Sequence, residues 1–409
     1  MRRVMFGVLF LAFLGAGSVA AQRQNGGGRQ PPPQPPPPVP ASAPAAGDAL
    51  AGLTAAQRSA FVAGLADFSE IEDVSDGLGP IFNERSCTAC HSVPTVGGGS
   101  QRTVTRFARR TNGVFDPLTS LGGTLMQDHA IGPPDGSVHP FHPEIVPAGA
   151  TIVVHRRTPP LFGLGLVDAT PDSDFLALVQ AEAARGDGVT GRAGLVDNIR
   201  AGMKTVGKFG WKAQVPSLFQ FSGDAYLNEM GITTPDFPNE NCPQGNCAEL
   251  SFNPAPGIND DGSGPVLLNN FMTMLAAPPR GPRNRDTDDG EATFNSVGCV
   301  ACHVDTFRTG SNAIAALDRK TYHPYSDFLL HDMGSLGDDL EMGSATGKEM
   351  RTAPLWGLRF ITTYLHDGRA TTLDQAILAH DGQARASRDR FANLGASAKS
   401  KLMAFLQSL

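Results

Sequence analysis

The sequence predicts a mainly α protein of two related domains, with long loops and few short strands. Three observations predict it. Cys87-Thr88-Ala89-Cys90-His91 and Cys299-Val300-Ala301-Cys302-His303 repeat one pattern in the two halves of a 409-residue chain. A second pair follows the first in each half: Arg157-Thr158-Pro159-Pro160-Leu161-Phe162-Gly163-Leu164 matches Arg351-Thr352-Ala353-Pro354-Leu355-Trp356-Gly357-Leu358, which is the mark of an internal repeat. Strand-like alternation is sparse, whereas Leu402, Phe405, Leu406 and Leu409 keep the i, i+3, i+4, i+7 spacing of a helix face.

Cys-x-x-Cys-His is the attachment sequence for c-type haem. Residues i and i+3 of a helical turn share a face, so both thiols reach the two vinyl groups of one porphyrin. The adjacent His then serves as proximal iron ligand. Four thiolates on one zinc would leave the His after each pair unexplained. A dithiol redox site needs a surrounding βαβ pattern, which is missing. Two copies imply two covalent haems, held by Cys87, Cys90 and His91 and by Cys299, Cys302 and His303.

Length allows two cores. Charged residues are 18% of the chain, against 47 Gly and 32 Pro, which suits a loop-rich globular protein. The net charge is −7, and basic residues cluster only briefly, as at Arg280, Arg283 and Arg285. Nucleic acid and anionic membranes are therefore not the expected partners.

Residues 1–21 read as a signal peptide. Arg2 and Arg3 precede an apolar run from Val4 to Leu14, too short to span a bilayer, and Ser18-Val19-Ala20-Ala21 offers a cleavage site. Export to the periplasm, with no membrane span after removal, fits the place where c-type haem is attached. Cys242 and Cys247 are expected to close a small disulfide loop there. Residues 22–47 form a Gly/Pro-rich linker that cannot build a core. The folded part begins near Asp48, and Leu53 to Leu65 reads as a helix with Thr54 as N-cap.

Phe82 and Phe294 each stand five residues before a motif Cys, the lead-in aromatic of a cytochrome c-type domain. The turn-rich stretch 257–265 sets the boundary: residues 48–262 form an N-terminal cytochrome c-like domain with haem 1, and 263–409 a C-terminal one with haem 2.

Taken together, these residues resemble the bacterial di-haem cytochrome c peroxidases. The likeness is nearest to the larger di-haem oxidoreductase family, also called peroxidases or thiol oxidoreductases. The carrying segments are Gly79-Pro80-Ile81-Phe82-Asn83, both R-T-[PA]-P-L copies, Phe209-Gly210-Trp211-Lys212-Ala213, Glu229-Met230-Gly231-Ile232-Thr233, Tyr325 to Gly334, and Leu365-His366-Asp367-Gly368-Arg369-Ala370. They span about residues 50 to 409. The resemblance implies a peroxide site at haem 1 and an electron relay at haem 2.

It also implies an acid-base group, for which Glu229 is the candidate, a distal amide at Gln220, and a bridging indole at Trp211. For the sixth ligand of haem 1, His155 is preferred over His139 and His142. For haem 2, Met333 is preferred over His331, because a thioether raises the potential of a relay. A calcium ion is expected from the peroxidases, with no ligands assigned. Residues 100–150 and 168–205 look like insertions that alter access to haem 1. Expected partners are a small soluble donor (cytochrome c or cupredoxin) and a peroxide or organic substrate. The implied function is peroxide reduction to water. Its rivals are a non-catalytic di-haem electron carrier and a di-haem oxidase acting on a protein or organic substrate.

Overall fold

The computed structural model describes residues 44–132 and 141–409. The signal segment, the linker up to residue 43 and His139 lie outside the described residues. Helix α1 (Ala55–Phe68) starts where the sequence places it. The Thr54 hydroxyl accepts from the Gln57 amide, and the Gln57 side chain accepts from the Thr54 amide, closing a capping box that satisfies two otherwise orphaned donors. Helices α2 (Leu164–Asp168), α3 (Asp172–Arg185), α4 (Leu218–Met230) and α5 (Ser263–Met274) follow. The last four are α6 (Arg285–Val297), α7 (Leu373–Leu378), α8 (Arg385–Ala392) and α9 (Ala396–Leu406). Among the described residues, no helix is long and apolar enough to cross a membrane.

The strands are antiparallel throughout. β1 (Ile81–Phe82) pairs with β4 (His129–Ala130), and β2 (Thr103–Thr111) lies between β3 (Val114–Asp116) and β5 (Ile152–Arg157). Three further pairs are β6 (Leu195–Asn198) with β7 (Met203–Val206), β8 (Phe307–Arg308) with β9 (Thr321–Tyr322), and β10 (Leu330–Asp332) with β11 (Glu349–Arg351). Among the described residues helix exceeds strand, 34% against 15%, so the expected class holds at that level. β2 is longer than the sequence reading allowed. Its Thr103, Val104, Thr105 and Phe107 are β-branched or aromatic, and pairing on both edges lets them form nine residues of strand.

The duplication is visible in packing. α1 crosses α5 at Gly64, where a Cβ would run into the Leu267 carbonyl; α6 crosses α9 at Gly290, where it would run into the Lys401 carbonyl. Four residues beyond each glycine stands a phenylalanine. Phe68 packs on Phe271 at 4.8 Å, and Phe294 on Phe405 at 5.2 Å. Phe68 lies 6.0 Å from the His91 ring, and Phe294 lies 6.2 Å from the His303 ring.

Phe68, not Phe82, is therefore the counterpart of Phe294. In the first half, residues 69–86 separate the helix from the motif, so counting back from Cys87 lands on β1. There Phe82 stacks on His129 at 5.6 Å. The same pairing makes α5 the closing helix for α1, so the stretch 257–265 is a loop that runs into the first turn of that helix, and packing of the first half continues through Met274.

One apolar cluster runs from Phe61 to Trp356 in sequence, and a second gathers Phe294, Leu358, Leu373, Phe391, Leu402 and Phe405 around the second motif. The interior also holds a buried ionic group. Asp338 pairs with Arg156 at 2.6 Å and with Lys212 at 3.0 Å, all three side chains at most 4% exposed.

Candidate functional site

Both motifs are single 3₁₀ turns, Cys87–Ala89 and Cys299–Ala301. In each, the His amide donates back to the first Cys carbonyl at 2.9 Å, which holds thiols and imidazole on one short turn. All four motif thiols are free. Burial pushes Cys90 up to about 11 and Cys299 up to about 12, so they remain neutral. They do not converge on one point. Among the described residues, the one grouping of three metal-ligand types is Cys302, Asp327 and His331, which leaves neither a four-thiolate zinc site nor a carboxylate trio for calcium.

The two motif histidines are prepared alike. His91 Nδ1 lies 3.0 Å from the Gly98 carbonyl, and His303 Nδ1 lies 2.8 Å from the Tyr325 carbonyl. Burial lowers both imidazoles to about 4. A neutral ring whose Nδ1–H is spent on a carbonyl can present Nε2 as a lone pair, the arrangement of a metal-ligating His; the His91 ring also meets the Pro159 carbonyl. The residues therefore fit an iron on each His.

A largely apolar cavity of about 260 Å³ opens beside the second motif. Its wall includes His303, Met333, His366, His380, Trp211 and Trp356. Trp211 stands edge-on to His366 with ring centroids 6.4 Å apart. Met333 is half-buried on this wall.

His331 also reaches the wall, but both its nitrogens are engaged. Nε2 lies 3.0 Å from Asp327 Oδ2, and Nδ1 lies 2.9 Å from Gln383 Oε1. Burial alone would lower it; its bonds to Asp327 and Cys302 win and push it up to about 12. Both ring nitrogens of His331 thus face polar partners, whereas His303 engages Nδ1 alone.

The first motif meets Glu229. Its Oε2 accepts from Asn83 Nδ2 at 2.8 Å, and its carbonyl accepts from the Asn83 and Glu84 amides. Burial raises the Glu229 carboxyl above the ordinary range, against the Asn83 bond and the Arg106 charge. The Glu229 carboxylate in turn helps raise Cys90.

Gln220 is not brought to the same place. It lies nine residues earlier on α4, about 13 Å along the axis, and its amide binds the Asp197 carbonyl and the Ile199 amide. His155 is exposed on β5 and hydrogen-bonds Thr105 Oγ1 at 3.2 Å, outside the buried cavity. Strand pairing of β5 with β2 sets its direction. His142 is likewise exposed. The Cys242–Cys247 disulfide is formed.

Sequence reasoning missed His380. Its Nδ1 lies 2.8 Å from the Ala376 carbonyl, so Nε2 is free, and it acts electrostatically on His303. The signal was present: Leu373, Ala376, Ile377 and His380 share i, i+3, i+4, i+7 spacing along α7 and its end, and all four line the cavity.

No curated protein sequence matches the chain. Among solved structures, it is similar to a MauG-like protein associated with microbial copper homeostasis, with 15% identity, 93% of this chain and 94% of that one covered, and a TM-score of 0.39. It is also similar to a Kuenenia stuttgartiensis hydrazine synthase chain, with 18% identity and a TM-score of 0.28; there it covers 43% of its own length and 65% of that chain. The family described as "Di-haem oxidoreductase, putative peroxidase" matches residues 149–409, so the chain belongs to that family.

Proposed function

We propose that the chain is an exported c-type di-haem enzyme that reduces peroxide at the iron on His91, with electrons relayed from the iron on His303. Cys87, Cys90, Cys299 and Cys302 are the attachment thiols. When bound, the two haems supply an electron store and the iron position that a two-electron reduction needs.

The observation that carries this reading is Glu229, a half-buried carboxyl fixed by Asn83 beside the first motif. Burial raises its carboxyl above the ordinary range, so it holds a proton more readily than a solvated carboxylate does, which suits a group that takes a proton from one peroxide oxygen and returns it to the other. Trp211, on the cavity wall, offers a path for charge between the halves. His380 is better prepared than Met333 as sixth ligand at the second motif, because its free Nε2 is held in place by the Ala376 bond. Export rests on the signal-like N-terminus, and the Cys242–Cys247 bond suits an oxidising compartment. A small cytochrome or cupredoxin is the expected donor.

The test is the optical and EPR spectrum of the half-reduced protein. The N-terminal iron should turn high-spin and peroxide should be consumed. Glu229→Gln should keep both haem spectra and lose turnover by about 10²–10⁴-fold. Two low-spin irons indifferent to peroxide would instead describe an electron carrier.

A further inference from the structure

Arg157 and Arg351 are the matching arginines of the duplicated stretch, and both line the cavity. Their side chains are treated differently. Arg351 donates from Nε to the Gly210 carbonyl at 2.6 Å and from Nη1 to the Thr352 carbonyl at 3.1 Å, and it lies over the Phe328 ring. Arg157 is as deeply buried, 6% exposed against 8%, yet its Nε has no acceptor among the described residues. Among the described residues, the one group that favours its charge is the Tyr364 phenol, and no carboxylate does so.

Its backbone is fixed on both sides. The Arg157 amide donates to the His366 carbonyl at 2.8 Å, and its carbonyl accepts from Trp211 Nε1 at 3.0 Å. A buried guanidinium is not tolerated without a partner. Its planar fork matches a carboxylate better than any other common anion except phosphate.

We infer that Arg157 is the docking cation for a carboxylate that arrives with the occupant of the cavity, namely a propionate of the haem attached at Cys299 and Cys302. The inference rests on the haem reading above and extends it to a residue outside the attachment motifs. A fixed positive charge at this place favours the reduced, less positive iron, so it raises the potential of the relay centre. Arg351, already bonded to carbonyls, is not free to do the same.

The experiment is a spectroelectrochemical titration of the haem-loaded wild type, Arg157→Gln and Arg157→Lys, each first assayed for thioether-linked haem. The expected result is two haems in every protein and a C-terminal iron that is harder to reduce in Arg157→Gln. The ratio of reduced to oxidised iron at fixed applied potential should fall roughly tenfold. Arg157→Lys should recover most of it. Two haems with unshifted potentials in Arg157→Gln overturn the assignment.

Fewer than two haems in the wild type fails the haem reading itself, and the inference falls with it. Acetate separates the carboxylate sources. If the wild-type potential is unchanged by added acetate at fixed pH, the carboxylate is built in, as inferred. An acetate-dependent potential that Arg157→Gln abolishes means a site for free carboxylates and overturns the propionate assignment.

Discussion

The indole Nε1 of Trp211 donates to the carbonyl of Arg157 at 3.0 Å. On its other side, the Arg351 amide donates to the Trp211 carbonyl at 2.9 Å. The two copies of the duplicated stretch therefore grip one tryptophan from both sides. Trp211→Phe keeps an aromatic ring on the cavity wall and removes the donor, at about 1 kcal/mol of stability. If the indole carries charge between the halves, stopped-flow absorbance after half-reduction should show slower activation of the N-terminal iron with an unchanged haem count. Equal rates would reduce Trp211 to packing.

What the sequence made legible was local. The motif turns, the Thr54 cap, the Cys242–Cys247 loop and the C-terminal helix each depend on residues within a few positions of one another. Phe82 was misassigned because spacing was counted back to a Cys, whereas the aromatic is fixed by a helix crossing at Gly64 and α5 contributes half of that contact. Gln220 bonds the Asp197 and Ile199 backbone, a placement on α4 that a one-dimensional offset does not give. His155 lies in a strand whose partner, β2, was not recognised. His331 carried the right residue type, but its commitment to Asp327 and Gln383 is a tertiary fact that no local pattern announces. His380 is legible as the last position of an apolar helical stripe that begins at Leu373.

His380 and Met333 make opposite predictions for the second iron. With Nδ1 held by Ala376, His380→Ala removes a ready nitrogen, and the EPR spectrum of the oxidised protein should change from low-spin to high-spin at the C-terminal centre. Met333→Leu should leave that signal in place. The reverse pattern would restore the thioether as ligand.

Asp338 neutralises two buried cations at once. One oxygen accepts from Arg156 Nε and Nη2 at 2.9 and 2.6 Å, and the other pairs with Lys212, whose ammonium also donates to the Thr346, Gly347 and Glu349 carbonyls. Asp338→Asn preserves shape and leaves both cations facing a neutral amide. Loss of an anion from such a cluster costs about 3–5 kcal/mol. Urea denaturation of the haem-loaded protein should show a lower midpoint with a similar slope. Because Lys212 follows Trp211, the variant should also slow the charge-transfer step that Trp211→Phe slows.

Asp67 gives stability an unusual pH dependence. It lies near the end of α1, half-buried, and accepts from the Tyr226 hydroxyl at 2.9 Å. Burial raises its carboxyl from 3.8 to about 6, with Glu70 and Asp260 adding to the rise and the Tyr226 bond opposing it. The folded state therefore holds this proton more tightly than the unfolded state. Below pH 4 both states carry the proton, and its contribution to stability is whole. Between pH 4 and 6 the unfolded chain releases it first, so stability declines as pH rises through that window. Above pH 6 the loss is complete. Asp67→Asn still accepts from Tyr226 and cannot ionise, so its unfolding free energy should lack that decline. Partial exposure weakens the effect, and the variant should exceed the wild type by roughly 1–2 kcal/mol at pH 7 and match it at pH 4. Paired denaturation curves at the two pH values measure this, and a variant less stable than wild type at pH 7 would show that the ionised carboxylate, not the neutral acid, is the form the fold prefers.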